Sequence, residues 1–410
     1  MVKNVQLISI IYLLAWMICP PLNYGTIFRL LAVVFCVVWL LLEYFSKNKK
    51  LTLASKDKLD RYGKYYLVAA IVYILGTLLI QLIFANKGLV DILYGSLQTY
   101  ILLLVGFIGT IYIAEKRWGE LRIIFSSIIL FSVVFSITTI FRSERYYEIT
   151  RSAGGVTNDE QLGIVREASA AGVGTFGFFC LTSVLTPLLT YVAKKIATTK
   201  REKWIYTLSS IICAIGVISA GYTIALLICF VGVFAVLFIT AKNNVNRFIF
   251  LLVALLILLL GSQLLNQLYG LLLKIFDNTM YEVKIRDIFK FLLEGESEGT
   301  FQARQERYVF SFIAMFKYPI FGSYALNQTA SVGGHSSLMD NIVLYGWLIG
   351  FCWLYLIGVY HLQATKEMNI DTGIRLVFVV LVALTALFNQ LVMTFGAFFF
   401  IVPCLRTAKE

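Results

Sequence analysis

The sequence predicts an all-α polytopic membrane protein with about 12 transmembrane helices. Apolar residues make up 59% of its 410 residues and charged residues only 14%, whereas soluble domains are nearer half apolar and a quarter charged. The mean hydropathy is +0.82. The apolar residues fill charge-free windows of roughly 20 residues, which is the length that a membrane-spanning helix needs. They do not alternate at the period of two that membrane β-barrels show. These observations exclude a soluble enzyme, a disordered chain and a disulfide scaffold.

The predicted spans follow the charge-free windows along the chain. A turn near Gly221 divides the apolar run 204–241, and a turn at Asn389–Gln390 divides the charge-free run Leu376–Leu405. One tilted helix in the second run would give eleven spans instead of twelve. We expect a single integral membrane domain over 1–410. The predicted spans are 5–20, 25–45, 65–85, 91–114, 121–141, 169–193, 204–220, 222–240, 248–268, 341–361, 374–389 and 391–405.

Lysine and arginine counts orient these spans. The net charge of +12 would suggest nucleic-acid binding in a soluble protein, but basic cytoplasmic loops explain it better in a membrane protein. With a cytoplasmic N-terminus, the inner segments carry 22 basic residues and the outer segments carry 12. Long outer loops are translocated regardless of charge. We therefore expect both termini in the cytoplasm and two large outer segments, about 142–170 and, between spans 9 and 10, about 269–340.

The first outer segment uses only arginine as its basic residue. Its arginines are Arg142, Arg145, Arg151 and Arg166, whereas the inner segments hold 15 lysines and 7 arginines. A guanidinium binds phosphate or carboxylate through two parallel hydrogen bonds, which a lysine cannot do. We interpret these arginines as a candidate anion clamp. Ordinary pairing with acidic residues of the same segment is the alternative, and both interpretations remain open at this point.

The second outer segment combines two more arginines with helix breakers. Arg304 and Arg307 are three residues apart and share a face if the segment is helical. An apolar run follows them, and Pro319 and Gly322 then interrupt it.

A helix start with a histidine before it follows in the same segment. Ser337 and Asp340 have the spacing of a capping box, which predicts a helix beginning at about Ser337. His335 precedes this helix start, where the positive helix potential favours a neutral imidazole that can accept a proton. An ordinary loop histidine is the alternative. His361 ends a predicted span on the inner side, and we expect its replacement by alanine to be nearly silent.

The stretch from Arg304 to Gly350 resembles the signature of the O-antigen ligase and O-antigen or capsular polysaccharide polymerase superfamily. That signature joins an arginine and a following aromatic residue, an apolar helix, a proline-to-glycine turn, a histidine at a helix start and a Tyr-Gly segment. The matching positions are Arg304 with Tyr308, Pro319-Ile320-Phe321-Gly322, His335-Ser336-Ser337, and Tyr345-Gly346-Trp347-Leu348-Ile349-Gly350. Elsewhere the chain agrees with the superfamily in span count, loop placement and size.

The resemblance implies a C-type glycosyltransferase in the bacterial cytoplasmic membrane, with its two outer segments forming the catalytic face. It implies glycans linked to undecaprenyl pyrophosphate as substrates, and no cofactor, nucleotide sugar or metal. The implied partners are membrane lipid, a chain-length regulator and a flippase, without nucleic acid. In this framework Arg304 and His335 are the candidate catalytic residues, for the pyrophosphate and for the acceptor hydroxyl. The candidate substrate-binding residues are Arg307, Arg151, Arg166, Arg145 and Tyr308.

Three functions remain in competition at the level of sequence. A polymerase that joins lipid-linked repeat units is the first, and a ligase that transfers the lipid-linked glycan to a terminal acceptor is the second, with nearly the same chemistry. A flippase for lipid-linked sugars is the third. Transporters usually place ionisable residues within spans near the midplane. The predicted spans here carry charged residues only near their ends, and the candidate site arginines lie in the outer segments, which favours an enzyme.

Overall fold

The fold is all-α throughout the part of the chain that the structure describes. The computed structural model describes residues 2–23, 25–46, 57–84, 88–152, 159–241, 300–326, 336–389 and 393–406, together with a few helical positions between 267 and 286. These ranges are almost entirely helical and contain no β-strand. The predicted fold class is therefore confirmed at the level of an all-α membrane protein.

Seven of the described helices are long and apolar enough to cross a membrane, and four shorter apolar helices accompany them. The helices are α1 (Val2–Ile18), α2 (Pro20–Asn23), α3 (Thr26–Ser46), α4 (Lys58–Phe84), α5 (Leu89–Ala114), α6 (Trp118–Ser152), α7 (Asp159–Ala170), α8 (Phe176–Tyr191), α9 (Lys200–Ala220), α10 (Thr223–Ile239), α11 (Thr300–Lys317), α12 (Ser337–Tyr345), α13 (Trp347–Leu354), α14 (Tyr360–Glu367), α15 (Thr372–Phe388) and α16 (Phe398–Ile401).

Short π-helical and 3₁₀ turns extend or join several of these helices. A π-helical turn, Val192–Ile196, continues α8, and another, Tyr355–Val359, joins α13 to α14 into one rod. Helix α16 lies between the 3₁₀ turns Met393–Ala397 and Val402–Leu405. A further 3₁₀ turn, Ser323–Leu326, follows α11.

The predicted spans correspond to these apolar helices, except for 248–268, which lies outside the described residues. The total of twelve therefore stays a prediction. The turn near Gly221 is confirmed, because this residue ends α9 with φ +64°, a left-handed conformation that glycine adopts without a side-chain clash. Helix α15 ends at Phe388, and Asn389 is extended, so the chain also leaves the helix at the second expected position.

The first outer segment is helical where the sequence suggested a loop. Helix α6 runs without a break to Ser152, and α7 follows as a separate helix before α8 begins at Phe176 rather than at residue 169. The stretch 142–152 contains neither glycine nor proline, so nothing in the chain stops α6 where it leaves the apolar region. The guanidinium of Arg142 donates a hydrogen bond to the carbonyl of Ala171, just beyond α7. Gly154 and Gly155, which follow α6 and would allow a tight turn, lie outside the described residues.

Ion pairs mark one end of the helix bundle. Lys58 at the start of α4 pairs with Glu367 at the end of α14, with 3.3 Å between Nζ and Oε1. Arg117, between α5 and α6, pairs with Glu120 at 2.9 Å. We call this end the Lys58 side.

Aromatic and backbone contacts mark the opposite end. Gln81, in the last turn of α4, donates a hydrogen bond to the hydroxyl of Tyr345 at 2.9 Å. The backbone N–H of Ser337 donates to the carbonyl of Asn389, also at 2.9 Å. Because α4 runs from Lys58 to Phe84, these contacts lie at the other end of the bundle, which we call the Ser337 side.

Small residues and buried hydroxyls let the helices approach closely. A Cβ on Gly216 of α9 would lie 2.8 Å from the Cβ of Ser136 on α6, so only glycine fits there. Between α8 and α9, the hydroxyls of Thr190 and Ser210 are 2.8 Å apart, and Ser210 also donates to the carbonyl of Thr186. Close packing and hydrogen bonds of this kind drive helix association in membranes. The hydrophobic effect does not drive it there, because lipid tails are as apolar as the helix surfaces.

Two turns on the Ser337 side pack backbone against backbone. The turn Pro319–Gly322 lies against the junction of α12 and α13, where the N–H of Trp347 donates to the carbonyl of Pro319 at 2.8 Å. A Cβ on Gly346 would lie 2.1 Å from the carbonyl oxygen of Ile320, and Gly346 has φ +83° and ψ 173°. Glycine is essentially the only residue found at these angles.

Replacing Gly346 by alanine should therefore destabilise the protein. We expect Gly346→Ala to lower the free energy of unfolding by about 2 kcal/mol or more, because backbone strain of this kind costs about 1–3 kcal/mol before the clash is counted. Thermal unfolding of the purified protein in detergent measures this loss. Gly95→Ala is the control, since Gly95 is an exposed residue of α5 at which a Cβ meets nothing within 4 Å. Equal melting temperatures for the two variants would contradict the turn contact.

Candidate functional site

The arginines of the first outer segment lie on two helices. Arg145 and Arg151 are in the last turns of α6, where the structure describes the backbone. Arg166 is exposed on α7. Helix α7 packs mainly on α2 and α6 rather than on α11 or α12. The described contacts therefore do not bring Arg166 next to the second outer segment.

The second group of predicted site residues lies on α11. Arg304 occupies its second turn, with only its backbone described, and Arg307 is exposed one turn later. Tyr308 is half-buried and meets Phe388 at the end of α15 edge to face, with 6.5 Å between ring centroids. Position 304 precedes Tyr308 by about one helical turn. The part of α11 that holds Arg304 and Arg307 thus lies near the end of α15.

The start of α12 reaches the same place. His335 lies outside the described residues, but Ser336 follows it directly and caps α12. The hydroxyl of Ser336 donates to the carbonyl of Ala386 at 3.3 Å, and the N–H of Ser337 donates to the carbonyl of Asn389. Helix α11, which carries Arg304, and the start of α12, which follows His335, therefore meet at the last turn of α15.

The helix cap is displaced by one residue from the predicted capping box. Ser336 rather than Ser337 is the cap, and its hydroxyl accepts the N–H of Met339 at 3.1 Å. Asp340 completes the arrangement, because its carboxylate accepts the N–H of Ser336 at 3.1 Å. Ser337 is engaged elsewhere, accepting a hydrogen bond from the indole of Trp353 at 2.9 Å. Competition from this indole explains the shift in register.

A buried polar network lies beneath the start of α12 and was not identified from the sequence. The hydroxyl of Tyr73 on α4 donates to the side-chain oxygen of Asn341 at 2.6 Å. The amide of Asn341 donates in turn to the carbonyl of Ser337 at 2.9 Å. The ring of Tyr73 also stacks on Trp353, with centroids 5.0 Å apart. These contacts hold the first turn of α12 against α4 and α13.

The network continues along one face of α4. Tyr73, Thr77 and Gln81 follow one another at intervals of four residues, which places them on one helical face. Thr77 meets the hydroxyl of Tyr100, and Gln81 donates to Tyr345. This spacing of polar residues within an apolar run is a signal that could have identified the network from the sequence.

His361 is buried in the core, whereas the sequence predicted that it lies at the end of a span. It is 5% exposed and packs against Phe399, with 4.5 Å between ring centroids, and against Phe378 at 5.5 Å. It also lines a small cavity of about 20 Å³, which is room for about one water molecule. The expectation that alanine would be silent there is wrong, because removing a buried ring leaves a cavity in the aromatic core.

A compact charged cluster occupies the Lys58 side. The guanidinium of Arg117 lies over the ring of Tyr112 at 4.3 Å and within 4 Å of three carboxylates. Gln6 bridges it to one of them, donating to Glu43 at 2.8 Å and accepting from Arg117 at 3.1 Å. This cluster joins α1, α3 and α6 at the end opposite to Ser337. Its distance from the predicted site residues makes it a structural anchor of the bundle.

Comparison with known proteins does not assign the chain to a family. No known family model matches the sequence, and no curated protein matches it at a significant level.

The Tyr73–Asn341 hydrogen bond gives a measurable test of the network. We expect Tyr73→Phe and Asn341→Leu each to lower the free energy of unfolding by about 1–2 kcal/mol, because each leaves a buried polar partner unpaired. The double variant should cost less than the sum, with a coupling of about 0.5–1.5 kcal/mol. Unfolding in detergent measures the free energy of unfolding of the wild type, the two single variants and the double variant.

Tyr65→Phe serves as the control for this cycle, since Tyr65 lies on the same helix with 51% of its surface exposed. Strictly additive losses for Tyr73 and Asn341 would show that the two side chains do not depend on one another.

Proposed function

We propose that the protein is a polysaccharide polymerase that joins oligosaccharide repeat units carried on undecaprenyl pyrophosphate. The observation that supports the proposal best is the convergence of α11 and the start of α12 on Phe388 and Asn389. These two segments hold Arg304 and follow His335, which are the residues that the superfamily resemblance assigns to the reaction. Their meeting on the Ser337 side would bring the group that binds the pyrophosphate close to the group that acts on the acceptor hydroxyl.

The proposed reaction is a glycosyl transfer between two lipid carriers. The acceptor hydroxyl, at the non-reducing end of a new repeat unit, attacks the anomeric carbon of the growing chain, and the bond from that carbon to the pyrophosphate oxygen breaks. Undecaprenyl pyrophosphate leaves with the electron pair, and the hydroxyl proton passes to a base. Arg304 would stabilise the charge that develops on the pyrophosphate, and His335 would orient the hydroxyl or accept its proton.

Arg307, Arg151, Arg166, Arg145 and Tyr308 are proposed to bind substrate around this centre. Tyr308 is the described member that lies at the meeting point, through its contact with Phe388. Its ring presents an apolar face to a sugar or an isoprenoid chain. The arginines on α6 and α7 would act on parts of the glycan farther from the pyrophosphate.

The proposal includes a membrane arrangement. Twelve spans would cross the bacterial cytoplasmic membrane, with both termini inside and the Ser337 side facing outward. The excess of lysines in the segments of the Lys58 side supports this orientation, since basic residues favour the cytoplasm. The segments 142–170 and 269–340 would then form the catalytic face, where lipid-linked glycans are presented. A chain-length regulator and a flippase would act beside it.

A terminal ligase and a flippase are separated from the polymerase by the glycans that a deletion strain makes. Single-repeat glycans on the cell surface indicate a polymerase. Loss of all surface attachment indicates a ligase, and loss of outward-facing lipid-linked repeats indicates a flippase. A flippase deletion also abolishes surface attachment, so the presence or absence of lipid-linked repeats on the outer face decides between ligase and flippase.

Arg304 is the first residue to test in that strain. We expect Arg304→Ala to shorten the glycan ladder to one or two repeats, and Arg304→Lys to do nearly the same, because lysine keeps the charge but loses the two-pronged geometry. Electrophoresis of surface glycans measures ladder length. Arg201→Ala is the control, since this arginine is exposed at the start of α9 on the Lys58 side. Wild-type ladders from well-expressed Arg304→Ala would remove Arg304 from the site.

His335 is expected to affect the rate without affecting donor binding. General-base assistance is worth about 10²–10⁴-fold in rate, so His335→Ala should polymerise slower by about that factor. Binding of lipid-linked donor to the purified variant should be unchanged, because the arginines remain. His361→Phe is the appropriate comparison, since it keeps an aromatic ring in the core. Equal polymerisation rates for these two variants would show that His335 is an ordinary loop residue.

A further inference from the structure

Arg29 places a full positive charge in the first turn of a membrane helix. The backbone N–H of Arg29 donates a hydrogen bond to the carbonyl of Gly25 at 3.1 Å, so Arg29 belongs to the hydrogen-bonded start of α3. That first turn contains no acidic residue. The N-terminus of a helix is already positive because its N–H groups are unpaired. The charge and the helix end together create a local potential that attracts an anion.

The side chain of Arg29 is oriented by an aromatic ring and pairs with no carboxylate among the residues that the structure describes. Its guanidinium carbon lies over the face of Tyr94 at the start of α5, 5.0 Å from the ring centroid. The Nε atom is shielded from solvent and finds no hydrogen-bond acceptor among the described residues. Asp91, one turn before Tyr94, is exposed and forms no ion pair with Arg29 within the described part of the chain.

The pair of Arg29 and Tyr94 faces the region that lipid occupies. Around it, the apolar side chains of Ile27, Leu30 and Val90 are 71%, 60% and 77% exposed. Surfaces of this kind on a membrane-spanning bundle contact acyl chains. An arginine at this position is therefore reached from the bilayer and not only from water.

The side chain of Arg29 is within reach of the level of lipid phosphates, because long basic side chains near helix ends extend to the membrane interface. Arg29 lies about 5 Å from the start of a helix whose 21 residues span about the thickness of the hydrocarbon core. Glu43, near the other end of α3, lies 3.7 Å from Arg117 on the Lys58 side. Arg29 consequently lies on the Ser337 side, about one helical turn inside the end of α3.

We propose that Arg29, Tyr94 and the first turn of α3 form a binding site for the phosphate group of a membrane lipid on the Ser337 side. A phosphate oxygen would accept hydrogen bonds from the guanidinium in the geometry that arginine favours. Tyr94 holds the guanidinium in place by its ring, and its hydroxyl lies at the level where tyrosine is enriched in membrane proteins. The apolar side chains around the pair receive the tail of the lipid.

The test is direct binding of lipid phosphates to the purified full-length protein in detergent. The probes are radiolabelled undecaprenyl phosphate, phosphatidylglycerol as a competing phospholipid, and inorganic phosphate. We expect Arg29→Gln to weaken undecaprenyl phosphate binding about tenfold or more, and Arg29→Lys and Tyr94→Leu to weaken it less, because each keeps part of the site. Arg201→Gln, on the Lys58 side, should bind as the wild type does.

Competition distinguishes the two sources of lipid phosphate. Displacement by phosphatidylglycerol at equal concentration supports a site for phospholipids in general, and resistance to it supports a site for isoprenoid phosphates. Displacement by inorganic phosphate alone, or wild-type binding by folded Arg29→Gln, overturns the proposal. If Arg29→Gln does not fold, wild-type binding by both Arg29→Lys and Tyr94→Leu overturns it. The assay needs no glycan transfer, so its result is independent of the proposed polymerase.

Discussion

The arrangement of helices on the Ser337 side depends on the hydrogen bonds made by the backbone N–H groups at the buried start of α12. Ser336, Ser337 and Asp340 are nearly inaccessible to solvent, so their N–H groups have no water to bind. The carboxylate of Asp340 accepts the N–H of Ser336, the carbonyl of Asn389 accepts that of Ser337, and the carbonyl of Ser336 accepts that of Asp340. The hydroxyl of Ser336 accepts the N–H of Met339 in the same turn. A nine-residue helix is too short to be stable alone. These bonds therefore fix the helix and also tie it to α15.

The neighbouring elements are arranged around this helix start. Trp353 donates to Ser337, which brings in α13, and Asn341 accepts from Tyr73, which brings in α4. At the other end of α12, the glycine at 346 lets the chain turn against Pro319–Gly322 and so attaches α11. The contact of Tyr73 with Asn341 joins segments 268 residues apart in the chain. The position of α11 relative to α15 follows from these contacts, and with it the position of Arg304.

The sequence predicted what depends on local composition. Charge-free windows located the apolar helices, and Gly221 located a turn, because both reflect the residues present in one stretch of chain. The capping residue was misplaced by one position, since the preference for Ser336 depends on Trp353, which engages Ser337 from another helix. His361 was placed at the inner end of a span because its neighbours in sequence approach a charged segment, whereas its neighbours in space are the rings of Phe378 and Phe399. Contacts of this kind need the tertiary structure.

The unbroken length of α6 has a consequence for the geometry of the substrate. A helix of 35 residues is about 52 Å long, against a hydrocarbon core of about 30 Å. Arg151 lies nine residues beyond Arg142, which is about 13 Å farther along the helix axis. The last turns of α6, beyond Arg142, therefore extend past the apolar part of the helix. In the proposed reaction, the phosphate would stay at the membrane surface, and the sugars several units away would be the part of the lipid-linked chain that reaches Arg151.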